Sequence, residues 1–231
     1  MFQKIFTFLC VISFSITLFS CEEPKDDNTS LLALLYSFVN ANANASANIP
    51  TSCKDAAFCR TFIANNNGLG YDGNLGGIAG ADSKCTAAKP AGLNGTYKAV
   101  LVSMNVREVV FPGDGSPGLK DWVLYPNKQY RRSDGTTITF TTNSNSIVVD
   151  TLQNGIDAGA QKFFWNGLNG GPGTFPWEAS SDCNAWSSND GTPSGQAGNT
   201  TATNPNETPG GAFTIDGWNC NQKLNLLCAE Q

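Results

Sequence analysis

The distribution of apolar residues divides the chain into a leader, a linker and one long folded part. An almost uninterrupted apolar run extends from Ile5 to Phe19, behind the positive charge of Lys4. This run is shorter than the roughly 20 residues that a helix needs to span a bilayer, and it is typical of a secretion signal. A small residue precedes Cys21, which predicts a signal peptide over residues 1–20 and lipidation of Cys21. A plain secretory signal or an N-terminal transmembrane helix is the alternative.

The segment after the signal has too little apolar pattern to form a core. It begins with acidic and polar residues, continues with an apolar stretch at 31–39 and then alternates Asn and Ala. A stretch of this composition cannot bury enough apolar surface to offset the entropy lost on ordering. We therefore predict a flexible, lipid-anchored tether over residues 21–52, and a single domain over residues 53–231.

Within the domain, the apolar positions predict one helix and a series of short strands. Ile78, Ala81 and Cys85 recur at helical spacing, which predicts a helix over about 77–88 with these residues facing inward. Short runs rich in β-branched and aromatic residues predict strands at 58–63, 97–103, 121–125, 129–131, 136–140, 147–149 and 163–165. From Asn166 to Gly217 the chain is mostly Gly, Pro, Ser, Thr and Asn, which predicts a long functional or disulfide-held loop.

Composition and charge exclude some classes of partner. Only 14% of the residues are charged, the formal net charge is −5, and the sequence pI is about 4.6. A nucleic-acid-binding protein would carry a basic face, so nucleic acid is not an expected partner. Attraction to anionic lipid by charge is not expected either, and membrane attachment is therefore assigned to lipid on Cys21.

The cysteines predict disulfides rather than a metal site. Apart from one cysteine in the signal and the lipid acceptor, the exported part contains six: Cys53, Cys59, Cys85, Cys183, Cys220 and Cys228. An even number in an oxidising compartment favours a disulfide framework, for which fifteen pairings exist in principle. The chain has no histidine and no Cys-x2-Cys pair, so a zinc site is not expected.

The same lack of histidine argues against catalysis. It removes Ser-His-Asp and Cys-His machinery, and no other constellation singles out a catalytic group, so the protein is not expected to be an enzyme. Calcium would require several converging oxygens. The loop acids that could supply them are Asp182, Asp190, Glu207 and Asp216, but nothing in their spacing favours a site, and no metal or other cofactor is predicted.

Four motifs carry a resemblance to a known family. They are NLGGIAGADSKC at 74–85, DWVLYPN at 121–127 with YRRSDGTTI at 130–138, CNAWSSND at 183–190 and WNCNQKLNLLCAEQ at 218–231. Together they resemble the endostatin-like outer-membrane lipoproteins of pathogenic leptospires, domain of unknown function family 1554. The resemblance implies an α+β, C-type lectin-like fold in which Cys85 pairs with Cys228. It also implies a nested Cys183–Cys220 pair, which leaves Cys53 with Cys59.

The resemblance also implies a function. It suggests a surface-exposed, adhesin-like lipoprotein of the outer membrane that faces the cell exterior. Its partners would be host laminin, fibronectin, plasminogen or complement regulators. A structural or housekeeping lipoprotein without a host ligand is the alternative. Two sets of residues are candidate contacts: the loop aromatics Trp177 and Trp186, and the basic spot Tyr130, Arg131 and Arg132.

Overall fold

Strands dominate the part of the chain that the structure describes. The computed structural model describes residues 52–109, 119–168, 181–207 and 210–231, so the predicted signal peptide, Cys21 and nearly all of the tether lie outside the described residues. The strands are β1 (Phe58–Ala64), β2 (Tyr97–Ala99), β3 (Glu108–Val109), β4 (Leu119–Lys120), β5 (Gln129–Arg132), β6 (Ile138–Thr141), β7 (Phe163–Trp165), β8 (Ser194–Asn199), β9 (Gly217–Asn219) and β10 (Asn225–Glu230). The helical segments are α1 (Gly77–Ala87) and the short α2 (Cys183–Trp186), with a 3-10 turn at Asn66–Gly68.

The last strand lies at the centre of the main sheet. The strand order is β6-β5-β1-β10-β7-β8-β9, and β2 also pairs with β10. Strand β10 runs antiparallel to β1 and β2 and parallel to β7. Its residues Leu226–Ala229 are all buried, as expected for a strand that is covered on both faces. Strands β3 and β4 form a separate two-stranded sheet.

The sheet separates two hydrophobic cores. Because successive side chains of a strand point to opposite faces, Leu226 and Cys228 belong to one core, while Leu227 and Ala229 belong to the other. The first core is covered by α1. The second is covered largely by irregular segments, which contribute Val123, Ile147 and Phe213 among others.

Helix α1 forms as the sequence predicts. Its buried residues are Ile78, Ala81 and Cys85, and the cystine from Cys85 to Cys228 joins its inner face to the central strand. The first turn of α1 is so tightly packed that a Cβ at Gly80 would lie 2.1 Å from the carbonyl oxygen of Leu75. Glycine at this position therefore serves close packing.

The structure also corrects several predictions. Segments 121–125 and 147–149 contain buried apolar residues but are not strands; part of their backbone is satisfied by side chains, such as the Tyr130 hydroxyl at the N–H of Tyr125. The predicted loop from Asn166 to Gly217 contains β8 and α2. Strand β8 (SGQAGN) was missed because it lacks β-branched and aromatic residues. This strand needs small residues, since a Cβ at Gly198 would lie 2.4 Å from the Phe164 ring.

The fold is thus a mixed arrangement of helix and strand, mostly strand, with disulfides. Within the described ranges, no helix has the length and apolar character needed to cross a membrane.

Candidate binding surfaces

Three disulfides fix the domain. The structure pairs Cys53 with Cys59, Cys85 with Cys228 and Cys183 with Cys220, which is the nested arrangement that the resemblance implies. All six cysteines are buried. The Cys183–Cys220 bridge ties α2 to the end of β9.

Segment α2 is a left-handed helical turn. Cys183, Asn184, Ala185 and Trp186 have φ angles of 49°, 59°, 57° and 58°, whereas L-residues avoid this region at a cost of roughly 1–2 kcal/mol each. The turn is nevertheless closed by a hydrogen bond from the Trp186 N–H to the Asp182 carbonyl at 2.6 Å. The Asp182 carboxylate also caps the turn by accepting from the Ala185 N–H at 2.9 Å.

Buried groups hold the turn against the protein interior. The Trp186 side chain is fully buried, packs against Trp165 and donates its indole N–H to the Val102 carbonyl at 2.7 Å. A Cβ at Gly73 would lie 2.4 Å from the Cys183 sulfur, so this neighbour must be glycine. The prediction that Trp186 is an exposed ligand contact is therefore wrong, because the anchoring of the turn requires the indole inside. Trp177, the other predicted aromatic contact, lies outside the described residues.

Around the Cys183–Cys220 bridge, small and polar side chains face solvent. We call this surface the stapled face; it comprises Asn184, Ala185, Ser187, Asn189, Asp190, Asn219 and Asn221, all exposed. These segments lie together because the disulfide joins Cys183 to Cys220 and Ser194 of β8 pairs with Asn219 of β9. The surface is therefore built on hydrogen-bonded and cross-linked backbone, although most of its residues lie outside regular strands.

The predicted basic site is mostly occupied by internal contacts. Tyr130 is fully buried, and burial raises the pKa of its phenol, so its prediction as a surface contact is wrong; alternation along β5 turns it into the core. Arg131 and Arg132 are half-buried. The Arg131 guanidinium lies 4.0 Å over the Phe58 ring, and Arg132 donates twice to the Gly155 carbonyl, at 2.7 and 3.0 Å. Both guanidinium groups are thus used in contacts within the fold.

No pattern in the sequence predicts the charge cluster that the fold assembles around the buried Arg107. Arg107 is fully buried and donates to both oxygens of Asp82, at 2.9 and 2.7 Å, and to Asp121 at 2.7 Å. Burial opposes the charge on Arg107, but the two carboxylates outweigh it and raise the pKa of the guanidinium. Asp82 also accepts from the Ala99 N–H, so the cluster joins α1 to β2. Arg107 is 25 positions from Asp82 and 14 from Asp121 in the chain, and no sequence pattern predicts contacts over such separations.

The loop acids do not converge. Among the described residues there is no group of three or more Asp, Glu, His or Cys side chains that could hold a metal ion. Asp182 is used structurally, because it caps α2 and its other oxygen accepts from the Ser103 hydroxyl at 2.9 Å.

Comparison with known proteins gives a family but no characterised relative. No curated protein matches the chain. A family model described as "Protein of unknown function (DUF1554)" matches residues 68–203, which include α1, the charge cluster and the left-handed turn. Since this match covers more than half of the 231 residues, the chain belongs to the DUF1554 family of proteins of unknown function.

Proposed function

We propose that the protein is a lipid-anchored, adhesin-like binding module of the bacterial outer membrane with a C-type lectin-like, endostatin-like domain. It engages host extracellular-matrix or plasma proteins through the stapled face. The observation that supports this proposal is the left-handed turn Cys183–Trp186, whose exposed tip is Asn184 and Ala185.

The turn carries backbone strain that its surroundings enforce. Four consecutive residues at positive φ cost several kcal/mol in total, and such strain persists only where the surroundings enforce it, typically at binding and catalytic sites. Here the enforcement comes from a disulfide, a carboxylate cap and a buried indole. The result is a rigid tip, and rigidity before binding reduces the entropy that an interface must offset.

Charge indicates what kind of partner surface fits. Between Lys162 and Lys223 the chain has no lysine or arginine, but it has five acids: Glu178, Asp182, Asp190, Glu207 and Asp216. Complementary potentials favour encounter and register. A basic, hydrogen-bonding surface on laminin, fibronectin, plasminogen or a complement regulator is therefore the expected complement. The alternative basic contact at Arg131 and Arg132 is disfavoured by their internal bonds.

Binding by the soluble Cys21→Ser chain, without its signal, to these immobilised proteins tests the proposal. The variant Asp190→Asn/Asn221→Ala removes one charge and one amide from the stapled face; Asp150→Asn/Asn145→Ala makes the same changes at exposed positions elsewhere. We expect the face variant to weaken binding about tenfold or more and the matched variant to leave it unchanged. Affinity should fall as salt rises.

Two outcomes would contradict this proposal. Absence of binding to every host protein in the panel would favour the structural or housekeeping alternative, and equal loss in both variants would move the contact away from the stapled face.

Anchoring and exposure are tested on cells. Lipidation predicts that Cys21→Ala releases the protein from the membrane fraction and abolishes fatty-acid labelling. Outward orientation predicts that protease added to intact cells degrades the domain. Labelling that persists in Cys21→Ala would refute the anchor, and complete protection from protease would place the domain in the periplasm.

A further inference from the structure

A cleft of about 250 Å³ lies where β1 ends and α1 ends. Its walls include Ile63, Asn65, Asn66, Asn67, Tyr71 and Ala88. It shares no residue with the stapled face. Any role for it therefore goes beyond the proposed function and does not depend on it.

Three consecutive asparagines form one wall in a fixed backbone conformation. Asn66 and Asn67 have φ angles of 50° and 54°, a region that asparagine tolerates better than most residues. The carbonyl of Asn65 accepts from the N–H groups of Gly68 and Gly70 at 3.0 and 2.9 Å, and the Asn66 amide donates to the Gly70 carbonyl at 3.0 Å. The amides of Asn65 and Asn67 are exposed and make no hydrogen bond to any described residue.

Tyr71, which also lines the cleft, is equally fixed. Tyr71 exchanges backbone hydrogen bonds with Leu224, at 2.6 and 2.9 Å, and its carbonyl accepts from the Trp165 indole at 2.8 Å. Burial raises the pKa of the Tyr71 phenol, partly offset by the Asn66 N–H, so the hydroxyl remains protonated at neutral pH. The cleft is thus held in shape before any ligand enters, which lowers the entropic cost of binding.

The chemistry of the lining favours a neutral ligand with many hydroxyl groups. The residues that line the cleft are all uncharged, and each amide offers donors and an acceptor. The Lys84 ammonium lies 6.0 Å from the centre of the Tyr71 ring, which disfavours a cationic guest. Pockets for drug-sized molecules measure roughly 300–1,000 Å³, so this smaller cleft suits a single ring. We propose that it binds one sugar residue of a glycan, without a metal ion.

Titration of the ¹⁵N-labelled Cys21→Ser chain with monosaccharides tests this proposal. The panel contains glucose, galactose, mannose and N-acetylglucosamine, all in EDTA, with Nα-acetyl-lysine methyl ester as a cationic probe. We expect saturable shifts of the Asn65 and Asn67 side-chain amide signals with at least one sugar. No response to any sugar, or a response to the lysine derivative alone, would overturn the proposal, as would binding that requires calcium.

Matched variants locate the site. Asn65→Ala/Asn67→Gly removes both unpaired amides while glycine keeps the positive φ, and we expect the dissociation constant to rise about tenfold or more. Asn127→Gly is the control, because Asn127 is also exposed and has a φ of 49°. Tyr71→Phe, which keeps the ring and the backbone pairing, should weaken binding by a smaller factor. Unchanged affinity in the double variant, with its melting temperature preserved, would show that the cleft is not the site.

Discussion

Ala185 offers a test of the strained turn, because replacing it by glycine should stabilise the protein. Ala→Gly substitutions usually destabilise, but Ala185 has a φ of 57° and an exposed side chain. Its replacement removes a left-handed penalty of roughly 1–2 kcal/mol. Because glycine also makes the unfolded chain more flexible, about 0.4–1 kcal/mol of that gain is lost. The free energy of unfolding should therefore rise by about 0.8 kcal/mol, within a range of about 0–1.6 kcal/mol.

Ala79→Gly is the matched control. Ala79 is exposed in α1 with an ordinary right-handed helical backbone, so the same substitution should lower the free energy of unfolding by about 1 kcal/mol. For a domain of this size, 1 kcal/mol corresponds to a change of roughly 2–4 °C in melting temperature. The two variants should thus move the melting temperature in opposite directions.

Thermal and urea unfolding with the disulfides intact measures both effects. If Ala185→Gly lowered stability as much as Ala79→Gly does, the turn would carry no left-handed strain. The physical argument for a functional tip would then fail. If Ala185→Gly stabilised the domain but weakened host-protein binding, the result would connect the strain directly to recognition.

Three further predictions concern the scaffold. Arg107→Ala removes a buried guanidinium but leaves Asp82 and Asp121 partly exposed, at 22% and 44% of their side-chain surface, so it should lower the free energy of unfolding by about 1–3 kcal/mol in urea titrations; an unchanged free energy would show that the cluster does not stabilise the fold. Cys85→Ala/Cys228→Ala opens a loop of 143 residues and should cost on the order of 5 kcal/mol, seen as a lowered denaturation midpoint; an unchanged midpoint would contradict this. Hydrogen bonds from the Thr137 hydroxyl and from nearby N–H groups hold the pKa of Asp134 well below its usual range. Its stabilisation is therefore present above about pH 4 and lost as pH falls further, so Asp134→Asn should flatten the acid limb of a stability profile, and identical limbs would refute the assignment.

The sequence alone determined those features whose signals are local. The spacing of Ile78, Ala81 and Cys85 predicts α1 because a helix repeats every 3.6 residues, and the structure confirms its buried face. β-Branched and aromatic runs likewise located β1 and β7, with small differences at the ends. The even cysteine count predicted disulfides, but only the resemblance to a family suggested how they pair.

Tertiary structure decided the rest, because the deciding contacts join residues far apart in the chain. Strand β8 can pack closely because Gly198 leaves room for the Phe164 ring. The strand propensities of single residues do not predict this contact. Trp186 was predicted as a candidate ligand contact, yet the left-handed turn places it inside, next to Trp165. Arg107 meets Asp82 only when α1 packs beside β2. Local patterns therefore established which segments fold regularly, whereas packing determined which side chains remain available to a ligand.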